Sequence, residues 1–115
     1  MLYARFEGLV AAEEFILDSG ADITLAPQMI AHRLGLDLEA GKRVVMKGIS
    51  PKDECSVEGR ILDVNLIVES PGWRIRAPVM FAAGNVPLLA GRKGFLDQFG
   101  VLLDGSRRTS VIRRE

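Results

Sequence analysis

The chain has 115 residues, with 15 Lys plus Arg balancing 15 Asp plus Glu, and 48% of its residues are hydrophobic. That length fits a single globular domain over 1–115 and excludes two, and the balanced charge offers no field for nucleic acid or an acidic membrane surface. The lone cysteine, Cys55, excludes an intrachain disulfide and favours a reducing, cytoplasmic setting. No leader is legible at the start, and no apolar run approaches the ~20 residues that span a bilayer.

Along the chain, Tyr3 to Gly8 alternates weakly and reads as a strand, with Gly8 opening a turn. Phe15-Ile16-Leu17 reads as a strand buried on both faces, and Ile23-Thr24-Leu25 as another short one. Pro27 suits the first position of a helix and Gly35 its end, with Ile30, Ala31 and Leu34 on one face. Arg43 to Lys47 is rich in strand formers, and Gly48 to Glu54 has the turn residues of a hairpin tip. From Ser56 to Glu69 the alternation is clear: Leu62, Val64, Leu66 and Val68 share a face opposite Asp63 and Asn65. After a turn at Ser70-Pro71-Gly72, Trp73, Ile75, Ala77, Val79 and Phe81 share a face. Pro78 within that run implies an edge or a bulge.

Val86 to Ala90 reads as a second buried strand ending at Gly91. Arg92 to Phe99 is expected to form a short helix closed by Gly100, and Val101-Leu102-Leu103 a final core strand. The tail from Ser106 carries Arg107, Arg108, Arg113 and Arg114 and is read as a solvated end. Many short strands with one or two brief helices predict an all-β fold, a closed mostly-β domain.

Two segments carry chemistry. Phe15-Ile16-Leu17 runs straight into Asp18-Ser19-Gly20-Ala21-Asp22, so a carboxylate sits at the end of a buried strand, a costly location for an unpaired charge. Leu88-Leu89-Ala90-Gly91 is a second apolar strand ending at glycine. Side by side, the two strands would make a floor on which the glycines let the backbones approach closely.

Leu17 to Asp22 resembles the first active-site signature of the retropepsin-like aspartic proteases. Leu89-Ala90-Gly91-Arg92, followed by Gly94-Phe95-Leu96-Asp97-Gln98-Phe99, resembles the second. Leu34-Gly35-Leu36 is similar to a segment of the family's cellular members, and the likeness to a single-domain, prokaryote-type member covers essentially the whole chain. The resemblance implies a retropepsin-like barrel contributing one lobe per chain, in a two-fold homodimer that sets Asp18 against its own copy to form an aspartic endopeptidase acting on an extended peptide. It further implies that Ser19 bonds across the two-fold, that the Gly20 carbonyl accepts from substrate, that Ala21 supports the turn, and that Asp22 and Arg92 form a bracing ion pair. Lys47, Gly48, Ile49, Ser50 and Pro51 would be a flap. Leu89, Ala90 and Gly91 would complete the floor. The chain departs from the family in having Ala90 where a larger apolar residue is usual, a charged flap with one glycine, and an arginine-rich tail.

Two carboxylates facing one water cannot both ionise, so they share a proton, and activity is expected at acidic to near-neutral pH. No metal or cofactor is implied. The alternative is a dimerising, peptide-binding module that cleaves weakly, because a fold does not dictate a function. Asp18 and Ser19 also suit a simple turn cap. A metal centre is disfavoured because His32 has no second His or Cys at ligand spacing. A Cys55–His32 thiol pair is disfavoured by the acidic residues beside Cys55.

Overall fold

A computed structural model describes residues 2–18, 20–47, 56–69, 72–104 and 109–114. The strands are β1 (Leu2–Phe6), β2 (Glu13–Leu17), β3 (Thr24–Pro27), β4 (Lys42–Lys47), β5 (Ser56–Val68), β6 (Trp73–Ala82), β7 (Leu89–Ala90), β8 (Phe99–Asp104) and β9 (Thr109–Arg114). One α-helix, α1 (Gln28–Arg33), follows β3, and single 3-10 turns occupy Leu38–Ala40 and Leu96–Gln98.

A 7-stranded sheet runs in the order β1-β2-β7-β3-β6-β5-β4. The pairing of β1 with β5, Ala4 opposite Val68 and Phe6 opposite Leu66, closes the ring from β1 round to β5 and leaves β4 outside it. The domain is therefore a closed, mostly-β barrel. The long strand β5 does two jobs along one edge: its end, Leu66–Val68, pairs with β1, and its beginning, Ser56–Ile61, pairs with β4 as a two-stranded arm.

Alternation along the strands builds the core. Val64, Leu66 and Val68 of β5 and Ile75, Ala77, Val79 and Phe81 of β6 are buried, whereas Asp63, Arg74 and Arg76 are exposed. Phe6, Phe15, Phe81 and Phe95 meet inside as tilted rings, with centroids 5.6–6.2 Å apart in the Phe15–Phe95, Phe6–Phe15 and Phe6–Phe81 pairs, a favourable geometry for aromatic contacts. A smaller cluster of Leu25, Met80 and Ala82, flanked by Ile23, Val44, Ile61, Val86 and Leu89, lies toward the arm.

Several elements differ from the sequence reading, for physical reasons. β2 is not buried on both faces: Phe15 is fully buried, but Ile16 is 44% exposed, because the strand is covered on its inner face only. β3 starts at Thr24 and runs to Pro27, which is the N-cap of α1 rather than its first residue. At the other end Gly35 takes φ 71°, with Gly35 N–H donating to the His32 carbonyl (3.1 Å) and Leu36 N–H to the Ala31 carbonyl (3.0 Å). This pair of bonds is a Schellman closure, and it requires a residue at ease with positive φ. Pro78 causes no bulge. Its pairing opposite Asp63 is in register with the rest of β5, and β3 joins the other edge of β6 only from Val79 onward, so no ladder there asks for the missing donor.

The expected strand over Val86 to Ala90 shrinks to the two residues of β7. The helix expected over Arg92 to Phe99 is a turn followed by the 3-10 segment, since Gly94 lies at φ 67° and breaks helical continuity. Gly100 falls inside β8 instead of closing a helix. β8 is no strand of the barrel: it pairs with β9, formed by the tail read as a solvated end, in a separate 2-stranded sheet. The hairpin tip and the Ser70-Pro71 turn lie outside the described residues. No helix among the described residues is long and apolar enough to cross a membrane.

Because Phe15 packs against both Phe6 and Phe95, Phe15→Ala should lower unfolding stability by about 3–5 kcal/mol. The neighbouring Ile16→Ala should cost less than about 1.5 kcal/mol. Denaturant titration of both variants checks this contrast, which a strand buried on both faces would erase.

Candidate active site

The site is built where β2 and β7 run side by side. They pair in parallel, Ile16 opposite Leu89 and Leu17 opposite Ala90. The ladder is extended by the Ile16 N–H donating to the Leu88 carbonyl (2.9 Å) and the Asp18 N–H to the Ala90 carbonyl (3.1 Å). Asp18 is thus the first residue past β2 and is still held by β7. β7 in turn pairs antiparallel with β3, Leu89 opposite Leu25, so Leu89 sits between Ile16 and Leu25.

The turn after Asp18 is organised by its own side chain and by the second glycine segment. Gly20 N–H donates to Asp18 Oδ1 (3.0 Å) and Ala21 N–H to the Asp18 carbonyl (3.1 Å), an Asx-type turn. Arg92 N–H then donates to the Ala21 carbonyl (2.9 Å) and Lys93 N–H to the Asp22 carbonyl (2.8 Å). The Arg92 guanidinium and the Asp22 carboxylate form an ion pair on the exposed side of this junction. Asp18 itself is half-buried, with a carboxylate accessible at the rim of a rigid floor.

Gly91 is where the three strands crowd together. A Cβ there would lie 2.4 Å from the Ile23 carbonyl carbon and 2.7 Å from the Thr24 nitrogen, a clash with backbone that no rotamer relieves. Its N–H donates to Thr24 Oγ1 at 3.0 Å. Thr24, fully buried, is the buried polar side chain among the described residues, and this bond satisfies it. Thr24 escaped the sequence reading, where it was only a strand residue. Its signal would have been a hydroxyl between apolar neighbours, which acquires meaning only once β3 is known to lie beside Gly91. Gly20 differs: a Cβ there would meet nothing closer than Asp18 Oδ1 at 3.3 Å.

Of the residues singled out from the sequence, the structure brings together Asp18, Gly20, Ala21, Asp22, Leu89, Ala90, Gly91 and Arg92. Ala90 is fully buried in the main core. Lys47 ends β4, on the arm. Ser19, Gly48, Ile49, Ser50, Pro51 and Cys55 lie outside the described residues. His32 is exposed on α1 and lines an open groove of about 540 Å³ with Met29 and Val86, among others.

An apolar strip adjoins the carboxylate. Alternation along β2 puts Ile16 on the same face as Asp18, and Leu89 and Leu25 continue the strip across β7 and β3 into the cluster containing Ile61 and Val44. On the arm, Arg43 Nε donates to Glu58 Oε1 at 2.5 Å, which holds the Glu58 carboxyl below its ordinary range and raises Arg43. No protein-family model, curated protein or solved structure matches the chain.

Two outcomes follow from this geometry. Gly91→Ala should destabilise the fold by about 3 kcal/mol or more, because backbone must move, whereas Gly20→Ala should stay within about 1 kcal/mol; thermal melts decide between them. The Glu58–Arg43 bond favours ionised Glu58 in the folded chain, so it is present above the ordinary glutamate range and is lost as the pH falls through the lowered folded value. An NMR titration should show the Glu58 midpoint rising in Arg43→Gln toward that of an unpaired glutamate.

Proposed function

We propose that this chain is one half of a homodimeric aspartic endopeptidase of retropepsin type. The observation that carries the reading is the position of Asp18: an accessible carboxylate at the end of β2, fixed by a backbone bond to Ala90 and by its own turn with Gly20. The Asp22–Arg92 ion pair stands immediately beside it. Preorganised placement of this kind is what a reacting group needs. The exposed Ile16 and the half-buried Leu89 beside it suit an extended peptide carrying apolar side chains.

A single Asp18 supplies one carboxylate, and hydrolysis by an activated water requires two in facing positions. A two-fold axis beside Asp18 would deliver the second from an identical chain. The pair then holds one proton. The ionised carboxylate takes a proton from the water as its oxygen attacks the scissile carbonyl carbon. The protonated one donates to the carbonyl oxygen, giving a neutral tetrahedral diol. Collapse of the diol returns a proton to the carboxylate pair and passes one to the departing amine nitrogen, breaking the C–N bond. The chemistry calls for no metal or cofactor. The arm of β4 and β5 is the element from which a flap would cover the peptide and exclude water.

Mixing tests the shared centre. When Asp18→Asn chains are added to an equal amount of wild-type chains and allowed to exchange, peptidase activity per wild-type chain should fall to about half, since random pairing traps wild-type chains in dead heterodimers. Activity that is unchanged per wild-type chain would show that each chain works alone and would refute the proposal. Peptide binding that persists in Asp18→Asn, without cleavage by the wild type, would favour the non-cleaving module.

A further inference from the structure

One peptide group joins the buried Thr24 to the turn that carries the carboxylate. The Ala90 carbonyl accepts from the Asp18 N–H at 3.1 Å, and the N–H of the same peptide, contributed by Gly91, donates to Thr24 Oγ1 at 3.0 Å. A peptide unit is planar, and in its trans form the C=O and N–H point in opposite directions. The Ala90–Gly91 plane is therefore pinned at both edges, by Asp18 at the end of β2 and by Thr24 at the start of β3. A tilt that shortened one bond would lengthen the other.

The hydroxyl end of this link is rigid. Thr24 is fully buried and stands in register with β6, opposite the fully buried Val79. A β-branched side chain has few rotamers open to it, so the oxygen goes where the backbone of β3 puts it. The glycine end is equally confined, because the chain entering β3 at Ile23 already lies against Gly91. Arg92 and Lys93 also bond to the turn, but at Ala21 and Asp22. Among the described residues, the Ala90–Gly91 peptide is the part of the second glycine segment whose backbone bonds to Asp18 itself.

We propose that Thr24 is a positioning residue for the reaction: its hydroxyl, acting through the Ala90–Gly91 peptide, fixes the backbone of Asp18 and with it the place of the carboxylate. Thr24 has this role only where Asp18 is half of a shared centre, as proposed above. Without the hydroxyl the buried Gly91 N–H loses its acceptor, which is costly. The peptide is then free to turn, and its carbonyl swings with it away from the Asp18 N–H. Bonds on the two ends of one peptide polarise each other, so loss of the first also weakens the second. A carboxylate that must face both a water and its own copy tolerates little displacement.

Thr24→Val keeps the shape of the side chain and removes the hydroxyl, whereas Thr24→Ser keeps the hydroxyl. With circular dichroism giving the folded fraction of the full chain, Thr24→Val should lower kcat per folded dimer about 10- to 100-fold and leave KM within about twofold of wild type. Thr24→Ser should recover kcat to within about threefold of wild type. If the valine chain does not fold, Thr24→Cys, whose sulfur is a weaker acceptor, should show the same split in milder form. Amide hydrogen exchange reads the link without activity: the Asp18 N–H should exchange about 10-fold or more faster in Thr24→Val, or in Thr24→Cys if only that variant folds, while amides in the middle of β5 keep their wild-type rates. A kcat per folded dimer equal to wild type, or unaltered Asp18 exchange, overturns the role of Thr24. A wild type that cleaves nothing refutes the peptidase, and any catalytic role of Thr24 with it. An active wild type whose Asp18 exchange is indifferent to Thr24→Val refutes the role of Thr24 alone.

Discussion

The structure depends on a close crossing of three strands at Leu89, Ala90 and Gly91. β7 is only two residues long, but it pairs in parallel with β2 on one side and antiparallel with β3 on the other. Without it, β2 and β3 would face each other across a gap, and the barrel would not close. The crossing is tight enough that Gly91 has no room for a side chain, and its N–H is the partner of the buried Thr24 hydroxyl. Position, packing and polar satisfaction at this point are one constraint, since a change in any of the three moves the backbone that holds Asp18.

Around that crossing the apolar residues divide into two groups with different surroundings. The larger, with the four phenylalanines, fills the closed part of the barrel. The smaller, around Leu25 and Met80, reaches out to Ile61 and Val44 of the arm. Leu89 belongs to the second group and Ala90 to the first, so adjacent residues of β7 tie the core to the strip beside Asp18. Interiors are close-packed and transmit displacement. The site therefore rests on the same contacts that stabilise the fold.

Much of this was legible in the sequence where pattern and local chemistry agree. The alternation of β5 and β6, the stop at Gly35 and the juxtaposition of the two glycine-ended strands are local signals or follow from them. What was not legible depends on neighbours distant along the chain. The exposure of Ile16 reflects which face of β2 the barrel covers. The brevity of β7 follows from its being wedged between two strands, and the importance of Thr24 from the nearness of Gly91. The tail was misjudged because Arg113 and Arg114 outweighed Thr109-Ser110-Val111-Ile112, a strand-forming run that needs β8 as its partner. The segment from Arg92 to Phe99 has helical spacing of apolar residues, but Gly94 at positive φ overrides it.

The threading of β7 between β2 and β3 has a consequence for how the protein comes into being. A ribosome makes β2, the Asp18 turn and β3 early, but the strand that must lie between them is encoded some seventy residues later. Contacts so far apart along the chain are slow to form, because a long loop must close before they are rewarded. A nascent polypeptide that has not yet reached Gly91 holds Asp18 in a turn without the bonds that Ala90, Arg92 and Lys93 supply. The turn around Asp18 is thereby braced only after the later strand has been made.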